Sequence, residues 1–451
     1  MCERHSPIQI TECLSCGQVC RISVLTAGQS AECPRCRSVL ARFEWFGPRE
    51  SLALCLSALV AFILANAFPL LTLEAQGMLR QTSLPEAVSV TWQYPGMWSV
   101  ALMCLITAFL VPLLHVLLLL TSLLMLQRPA VPNAFSQVTR WLHWCSPWSM
   151  APVFLLGVLV SIIKMAGMAR IITGTGLWSM AFFCLLMTLL SRIDAHTLWR
   201  WAGMKSGKAA RGQRTSARRQ IVCGVCRLVQ DEILKHDSEP PADRRCRQCS
   251  GALHVRKSSS ISRTWALMIT GMLFYIPANV MPIMETHTLL NSSAHTILGG
   301  IVELWRGGAV DIAIVVFIAS IAVPLVKFGA LLMLLLTAGQ NGTSGQNMDM
   351  KTLRDRQAKT RLYHFIEFIG QWSMLDVFVV LLLASMVNFK GFAEVNAGMG
   401  AIAFGLTVTL TMLATMSFDT RLLWDEQQCG NRDPHRTGLR ASLKAMRLKR
   451  F

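Results

Sequence analysis

The chain has 451 residues, 53% hydrophobic and 15% charged, with positive mean hydropathy and a formal net charge of +18. Soluble globular chains carry about a quarter charged residues, so this composition excludes an ordinary soluble domain. The apolar residues come in blocks of about 18 or more that are almost free of charge, as in transmembrane helices.

Residues 1–48 are polar and contain "CLSC" (13–16) and "CPRC" (33–36). Two C-x-x-C pairs at this separation are spaced as a four-cysteine zinc ribbon, with Cys13, Cys16, Cys33 and Cys36 as ligands. The residues between them, 21–32, read as a hairpin with a Gly turn. A module of about 35 residues buries too little to fold alone, so the metal supplies the folding free energy. Zinc is expected, and iron in a rubredoxin-like site stays open. Redox dithiols or disulfides use the same spacing, but an inner, reducing location disfavours disulfides. Four thiolates leave no open position for chemistry, so the site is structural.

The first apolar run, 51–72, follows fifty polar residues and has no small-residue cleavage site, so it reads as a span and not a signal peptide. It ends in "ANAFPLL" (65–71), with Asn66 one turn before Pro69. The second run, 98–126, contains "FLVPLLHVLLLL" (109–120), in which His115 follows Pro112 by three residues. Runs at 148–168 and 176–193 complete a first half, 49–200. A small, polar, basic linker follows at 201–220.

The pattern then recurs. Residues 221–258 carry "CGVC" (223–226) and "CRQC" (246–249), a second ligand set of Cys223, Cys226, Cys246 and Cys249. Runs at 264–284, 308–336, 371–389 and 398–417 form a second half, 259–424, ahead of a basic tail, 425–451. "ANVMPIM" (278–284) matches "ANAFPLL", which pairs Asn279 with Asn66. Pro324 matches Pro112, and "WSMLDVF" (372–378) matches "WSMAPVF" (148–154). An even number of spans in each half gives a parallel repeat. The expected fold is therefore a polytopic α-helical membrane protein. It has eight transmembrane helices in two parallel four-helix repeats, each preceded by a small cytoplasmic four-cysteine zinc ribbon. The repeated prolines kink helices and fit an opening between the halves, or are simply tolerated in a membrane. Residues 337–362 read as a mobile loop or a short amphipathic helix.

The basic excess follows topology. Of 43 Lys and Arg, 37 fall in segments that eight spans place with the N-terminus, and four (Arg80, Arg170, Arg306 and Lys390) fall on the other side. This is the positive-inside pattern, with both termini cytoplasmic and a basic face toward anionic lipid. It argues against a nucleic-acid partner.

Ionisable residues at bilayer depth default to functional hypotheses. Lys327 lies well inside 308–336, three residues after Pro324, where the first half has His115. Asp376 lies near the inner end of 371–389, where the first half has Pro152. Paired, the two charges offset each other. Thr407, Thr411 and Thr415 share one face of the last span, and Thr411 is placed to join the pair. Two readings stay open, interhelical glue that fixes register and a protonatable relay or switch. Asn66 and Asn279 are expected to satisfy backbone groups freed by the prolines, with a ligand role as the other choice. Lys164 is expected at the interface. Walker A, G-x-S-x-G and H-E-x-x-H motifs are absent, which argues against an enzyme.

The opening "MCERH", the repeated four-cysteine module with four spans, the N-x-x-P span ends, "WSM-x-DVF" and "LLWD" (422–425) resemble the paraquat-inducible protein A (PqiA/LetA) family over essentially the whole chain. The resemblance implies a multi-pass protein of the bacterial inner membrane. It implies a partner with MCE domains that spans the periplasm, and phospholipid as cargo moved between the two membranes in support of envelope integrity. The family's Lys–Asp–Thr cluster maps onto Lys327, Asp376 and Thr411. One departure is that glycine follows only the first of the four knuckles: the others read "CPRCR", "CGVCR" and "CRQCS". The residues alone leave room for a small-molecule or ion transporter that uses the Lys/Asp pair.

Overall fold

The polar N-terminal stretch forms two antiparallel hairpins, β1 (Gln9–Glu12) with β2 (Val19–Ile22) and β3 (Ser30–Glu32) with β4 (Val39–Arg42). Each hairpin turns at a C-x-x-C sequence. Residues 21–32, expected as a hairpin, instead contain the connection between the two hairpins. The structure is a computed structural model. It describes residues 9–22, 25–26, 28–75, 78–93, 98–165, 170–205, 220–231, 245–254, 256–257, 259–288, 292–308, 310–340, 350–375, 377–379, 382 and 393–424.

α1 (Pro48–Ala67) begins with proline at its first position, and Glu50 accepts a hydrogen bond from the Gly47 amide at 3.0 Å. Both features suit a helix N-terminus, where free amides need acceptors. Then come β5 (Leu71–Ala75), β6 (Met78–Thr82), α2 (Leu84–Gln93) and α3 (Trp98–Cys104). A π-helical turn, Leu105–Leu110, joins α3 to α4 (Val111–Gln127). α5 (Ala134–Cys145), α6 (Ala151–Met165), β7 (Arg170–Thr173), α7 (Thr175–Leu190) and α8 (Ala195–Lys205) complete the first half.

The second half opens with β8 (Gln220–Val222) and β9 (Val229–Asp231) around Cys223 and Cys226. α9 (Ser260–Val280), β10 (Met284–Thr288), β11 (Ser292–His295), α10 (Ile297–Arg306) and α11 (Val310–Phe317) follow. A π-helical turn, Ile318–Ala322, leads into α12 (Val323–Gln340). Last come α13 (Met350–Trp372), β12 (Ala393–Ala397), α14 (Met399–Ser417) and a 3-10 turn, Thr420–Leu423.

Pro112 and Pro324 thus each sit two residues beyond the end of a π-helical turn, at the second position of the helix that follows. A proline has no amide to donate, and the wide turn absorbs the missing bond while the helix continues. Of the stretch 337–362, expected as a loop or short helix, 337–340 end α12, 341–349 lie outside the described residues, and the charged part from 350 opens α13, a 23-residue helix packed on α12 and α14.

Among the described residues, five helices are long and apolar enough to cross a membrane: Pro48–Ala67, Ala101–Gln127, Ala134–Ile163, Ala313–Ala338 and Met399–Ser417. A sixth arises if α7 and the start of α8, bent by 57°, count as one span. These correspond to six of the eight expected runs. The run at 264–284 is matched by α9, which does not meet that criterion; Arg263, Asn279 and several hydroxyl residues lower its hydropathy. Much of the run at 371–389 lies outside the described residues.

Two three-stranded antiparallel sheets cap the ends of α1 and α9 remote from the cysteine modules. Their orders are β6-β5-β7 and β11-β10-β12. In each, the strand that leaves the first helix is central and pairs with the strand that enters the last helix: Leu71 faces Thr173, and Met284 faces Ala397. The same corner holds a close backbone contact. Gly174 N donates to Leu70 O at 2.9 Å and Gly176 N to Pro69 O at 3.1 Å. Gly398 N donates to Ile283 O at 2.9 Å and Gly400 N to Pro282 O at 3.0 Å. A Cβ on Gly176 would stand 2.4 Å from Phe68 O, and one on Gly400 would stand 2.7 Å from Met281 O. The Gly-x-Gly pair therefore lets the last helix of each half start against the proline-bearing end of the first.

The halves meet through α3 on α14 and α6 on α11, and one apolar core extends across both. Phe154 meets Phe378 edge-on at 5.5 Å between ring centroids, beside Gly157.

Gly176→Ala and Gly400→Ala are expected to cost about 3 kcal/mol or more each, because backbone must move to admit the methyl group. Gly300→Ala, in α10 with no neighbour within 4 Å of its Cβ position, should stabilise by up to about 1 kcal/mol. Thermal unfolding of the purified protein, followed by size-exclusion chromatography, checks both.

Candidate functional site

Each cysteine quartet closes into one cluster. The four Sγ atoms of Cys13, Cys16, Cys33 and Cys36 lie within 4.8 Å of one another, as do those of Cys223, Cys226, Cys246 and Cys249. Neighbouring sulfurs stand 3.4–3.6 Å apart: Cys13–Cys36, Cys16–Cys33, Cys223–Cys249 and Cys226–Cys246. A tetrahedral metal with sulfur ligands at about 2.3 Å needs edges of about 3.8 Å, so the clusters fit one metal ion each. Ser38 Oγ lies 3.0 Å from Cys13 Sγ and 2.9 Å from Cys36 Sγ. Hydrogen bonding within the clusters, foremost with Cys16 for Cys13 and with Cys223 for Cys246, holds the Cys13 and Cys246 thiols far below the ordinary thiol range. The thiolate, not the thiol, is the form that ligates a metal.

Every knuckle has the same backbone. The first-ligand amide and carbonyl bond forward: Cys13 N–H to Gln18 O and Gly17 N–H to Cys13 O, both at 2.8 Å, with equivalents at Cys33, Cys223 and Cys246. The residue after each second ligand has positive φ: Gly17 at 75°, Arg37 at 61°, Arg227 at 56° and Ser250 at 54°. Loss of glycine at three knuckles therefore leaves the loop shape unchanged, and those three residues carry the left-handed penalty.

The modules dock crosswise. The first packs on the second half: Ser15 Oγ lies 3.1 Å from His364 Nε2, Gln357 Nε2 donates to Arg35 O at 2.8 Å, and Arg421 Nε donates to Leu14 O at 3.1 Å. Arg35 stacks over Trp424 at 5.1 Å. The second packs on the first half, with Trp199 against its cysteine core and Arg140 donating to Ser250 O at 3.4 Å. Arg227 Nη1 donates to Leu40 O at 2.8 Å and ties the modules together. The connecting residues hold to their own halves: Glu44 pairs with Arg200 and Trp201, and Lys257 with Asp419 and Met416.

The buried polar site centres on Lys327, 1% exposed on α12. Its Nζ donates to Thr411 Oγ1 at 2.9 Å, and that hydroxyl in turn donates to Val408 O at 2.9 Å. Gly370, on α13, leaves room beside the amine, since a Cβ there would stand 3.8 Å from Nζ. Asp376, the expected acidic partner, lies outside the described residues. Thr407 and Thr415 share the buried face with Thr411 but bond to backbone carbonyls of their own helix. His115 is buried on α4, and its Nδ1 has no hydrogen-bond partner among the described residues.

Asn66 and Asn279 depart from expectation. Their amides donate to Phe62 O at 2.8 Å and Tyr275 O at 2.9 Å, one turn back on their own helices. The carbonyls that Pro69 and Pro282 leave without an amide are those of Ala65 and Ala278. A helical side chain leans toward the N-terminus and does not reach them. The glycine amides at the helix corner, unnoticed in the sequence, take the carbonyls beyond.

The family model described as "Paraquat-inducible protein A" matches residues 49–202 and 261–428. This chain belongs to the paraquat-inducible protein A family. The matched segments leave out both cysteine clusters. Over 436 residues this family member is 33% identical to the "Intermembrane transport protein PqiA" of Escherichia coli (strain K12), covering 95% of this chain and 98% of that one. It is 29% identical over 423 residues to the "Probable intermembrane transport protein" of Haemophilus influenzae, covering 93% and 96%. It is 28% identical over 427 residues to the "Lipophilic envelope-spanning tunnel protein A" of Escherichia coli (strain K12), covering 93% and 92%. No solved structure matches significantly. With its apolar helices, this member of the family is a membrane protein of the bacterial envelope.

Two outcomes are expected of the site. Thr411→Val leaves the Lys327 amine buried without its acceptor and should destabilise more than Lys327→Met. The double variant should recover part of the loss, since a lone buried polar group costs about 1–3 kcal/mol; thermal unfolding in detergent measures the cycle. Ser250→Gly should raise resistance of the second module to chelation, by roughly 1 kcal/mol of relieved strain, read as the chelator concentration that removes half the metal.

Proposed function

We propose that this protein is the inner-membrane part of an MCE-type lipid transport system. It loads lipid into, or extracts it from, a periplasm-spanning partner with MCE domains, and so supports the outer-membrane barrier. The observation that carries this reading is a fully buried lysine hydrogen-bonded across two helices of an envelope protein. Its relatives bear the names of intermembrane transport and of a lipophilic envelope-spanning tunnel. A buried amine with a hydroxyl acceptor is a costly element in an apolar helix, and such groups mark pathways and relays.

In this reading the chain has eight spans in two parallel repeats, with both termini cytoplasmic. The two matches of one family model and the two sheets of equal strand order support the repeat. The domains run 1–48, 49–200, 201–220, 221–258, 259–424 and 425–451, as module, repeat, linker, module, repeat and tail. Each quartet holds zinc, whose tetrahedral preference the sulfur spacing matches. Lys327, Thr411 and Asp376 form the working polar cluster, placed in the second half only, while His115 occupies the corresponding place in the first. A proton held at the cluster would change its charge, and with it the packing of α12 against α14. Phospholipid is the cargo.

Lys327→Ala and Asp376→Ala, at unchanged protein level, are expected to fail to restore the detergent resistance of cells lacking the transport system. Mass spectrometry of the purified wild-type protein is expected to find bound phospholipid, and affinity purification to bring down an MCE-domain protein. Full complementation by both variants would rule out the cluster's role. Solute flux by this protein alone in proteoliposomes, without bound lipid, would favour a small-molecule or ion transporter.

A further inference from the structure

The two cysteine modules differ by a fifth sulfur. Cys20, on β2, is buried, and its Sγ stands 4.0 Å from Cys33 Sγ. The counterpart of Cys20 in the second module is Gln230, on β9; each lies four residues after the second ligand of its first knuckle, Cys16 or Cys226. Gln230 Nε2 donates to Cys246 Sγ at 3.0 Å, and Cys246 is the counterpart of Cys33. The same place therefore sets a donor against the same ligand in both modules, an amide in one and a thiol in the other.

A thiol beside a ligand sulfur has a reaction that an amide lacks. A thiolate oxidised to a sulfenic acid loses its charge and its hold on a metal, and a neighbouring thiol condenses with it. We propose that the first module is an oxidation-sensitive metal site, in which hydrogen peroxide converts Cys20 and Cys33 to a disulfide and releases the metal, while the second module keeps its own. The Cys33 thiolate attacks the peroxide, taking one oxygen as the O–O bond breaks and hydroxide leaves. The Cys20 sulfur then attacks the Cys33 sulfur. The S–S bond forms, the S–O bond breaks, and the Cys20 proton leaves with that oxygen as water. Two electrons pass from the two sulfurs to the peroxide, and the metal keeps its charge. Opening the module disturbs the contacts of Ser15, Leu14 and Arg35 with α13 and the turn after α14. The oxidation is thereby read by the half that carries Lys327.

This inference rests on the clusters holding metal, so zinc is counted first. Full-length protein loaded with zinc should carry two ions per chain, one in each cluster; an empty protein refutes the metal reading itself. Peroxide is then added, with release followed by a chromogenic chelator and disulfides mapped by peptide mass spectrometry. The expected result is loss of one ion of the two, a Cys20–Cys33 disulfide, and recovery with a dithiol reductant and fresh zinc. Cys20→Gln should retain both ions and slow the release about tenfold or more, and Gln230→Cys should make the second site labile. Should Cys20→Gln not load zinc, Cys20→Ala is read in its place. Equal release from both sites in the wild type, unchanged release in the loaded Cys20 variant, or pairing of Cys33 with another ligand cysteine would overturn the proposal.

Discussion

The end of a helix leaves carbonyl groups without a partner inside the helix, and the rest of this structure is arranged around that constraint. α1 and α9 both end at a proline, which cannot donate a hydrogen bond and forces an extended exit. The carbonyls at and just beyond the prolines, Pro69 and Leu70 in one half and Pro282 and Ile283 in the other, are taken by glycine amides at the start of α7 and α14. Only glycine brings one backbone that close to another. The contact fixes the first and last helices of each half at one corner and sets the register of the sheet above it. With those two helices joined, the middle helices are free to differ, and there one half carries His115 and the other Lys327.

The difference between the halves is chemical more than architectural. In the second, α9 and α14 pack closely, Gly271 of α9 leaving room for Thr411 and Leu410. The Thr411 hydroxyl gives its proton to Val408 O and so offers its oxygen to the lysine. Thr415 donates to Met412 O on its own helix, and Thr407 donates to Ala403 O at 2.9 Å with Gly271 O of α9 at 3.5 Å. In the first half, α1 pairs with α7 in the same role, but the buried ionisable group on α4 is an imidazole. An amine donates only, whereas an imidazole can donate and accept, so the two positions suit different partners.

What the sequence made legible was local or periodic. Metal-ligand spacing, apolar runs, the repeated prolines and the i, i+4 threonine face are properties of short stretches, and the structure brings Lys327 to Thr411 and closes both quartets. What it hid depends on distant contacts. Nothing in "GTG" at 174–176 or "GMG" at 398–400 announces a proline corner, because the partner lies a hundred residues away. The charged stretch 350–370 has little apolar periodicity of its own, and its helix is held by α12, α14 and the first cysteine module. The left-handed residues Arg37, Arg227 and Ser250 were invisible because the four thiols fix a shape that the local sequence does not favour. The spacing of Asn66 and Asn279 to a proline recurs in both halves, but helical side chains lean toward the N-terminus, away from the carbonyls that the prolines free.

The crosswise docking of the cysteine modules bears on how the chain can be divided. Each module is covalently attached to one half and seated on the other, with Arg227 bridging the pair. The basic linker expected at 201–220 begins inside α8, which runs to Lys205, and ends in β8, which starts at Gln220; a cut between those two elements would sever the polypeptide without yielding two self-sufficient pieces. Each fragment would carry away the module that belongs on its neighbour and keep a bare seat of its own. The molecule is thus stitched like two hands clasped at the wrists, and only the clasp as a whole is a folding unit.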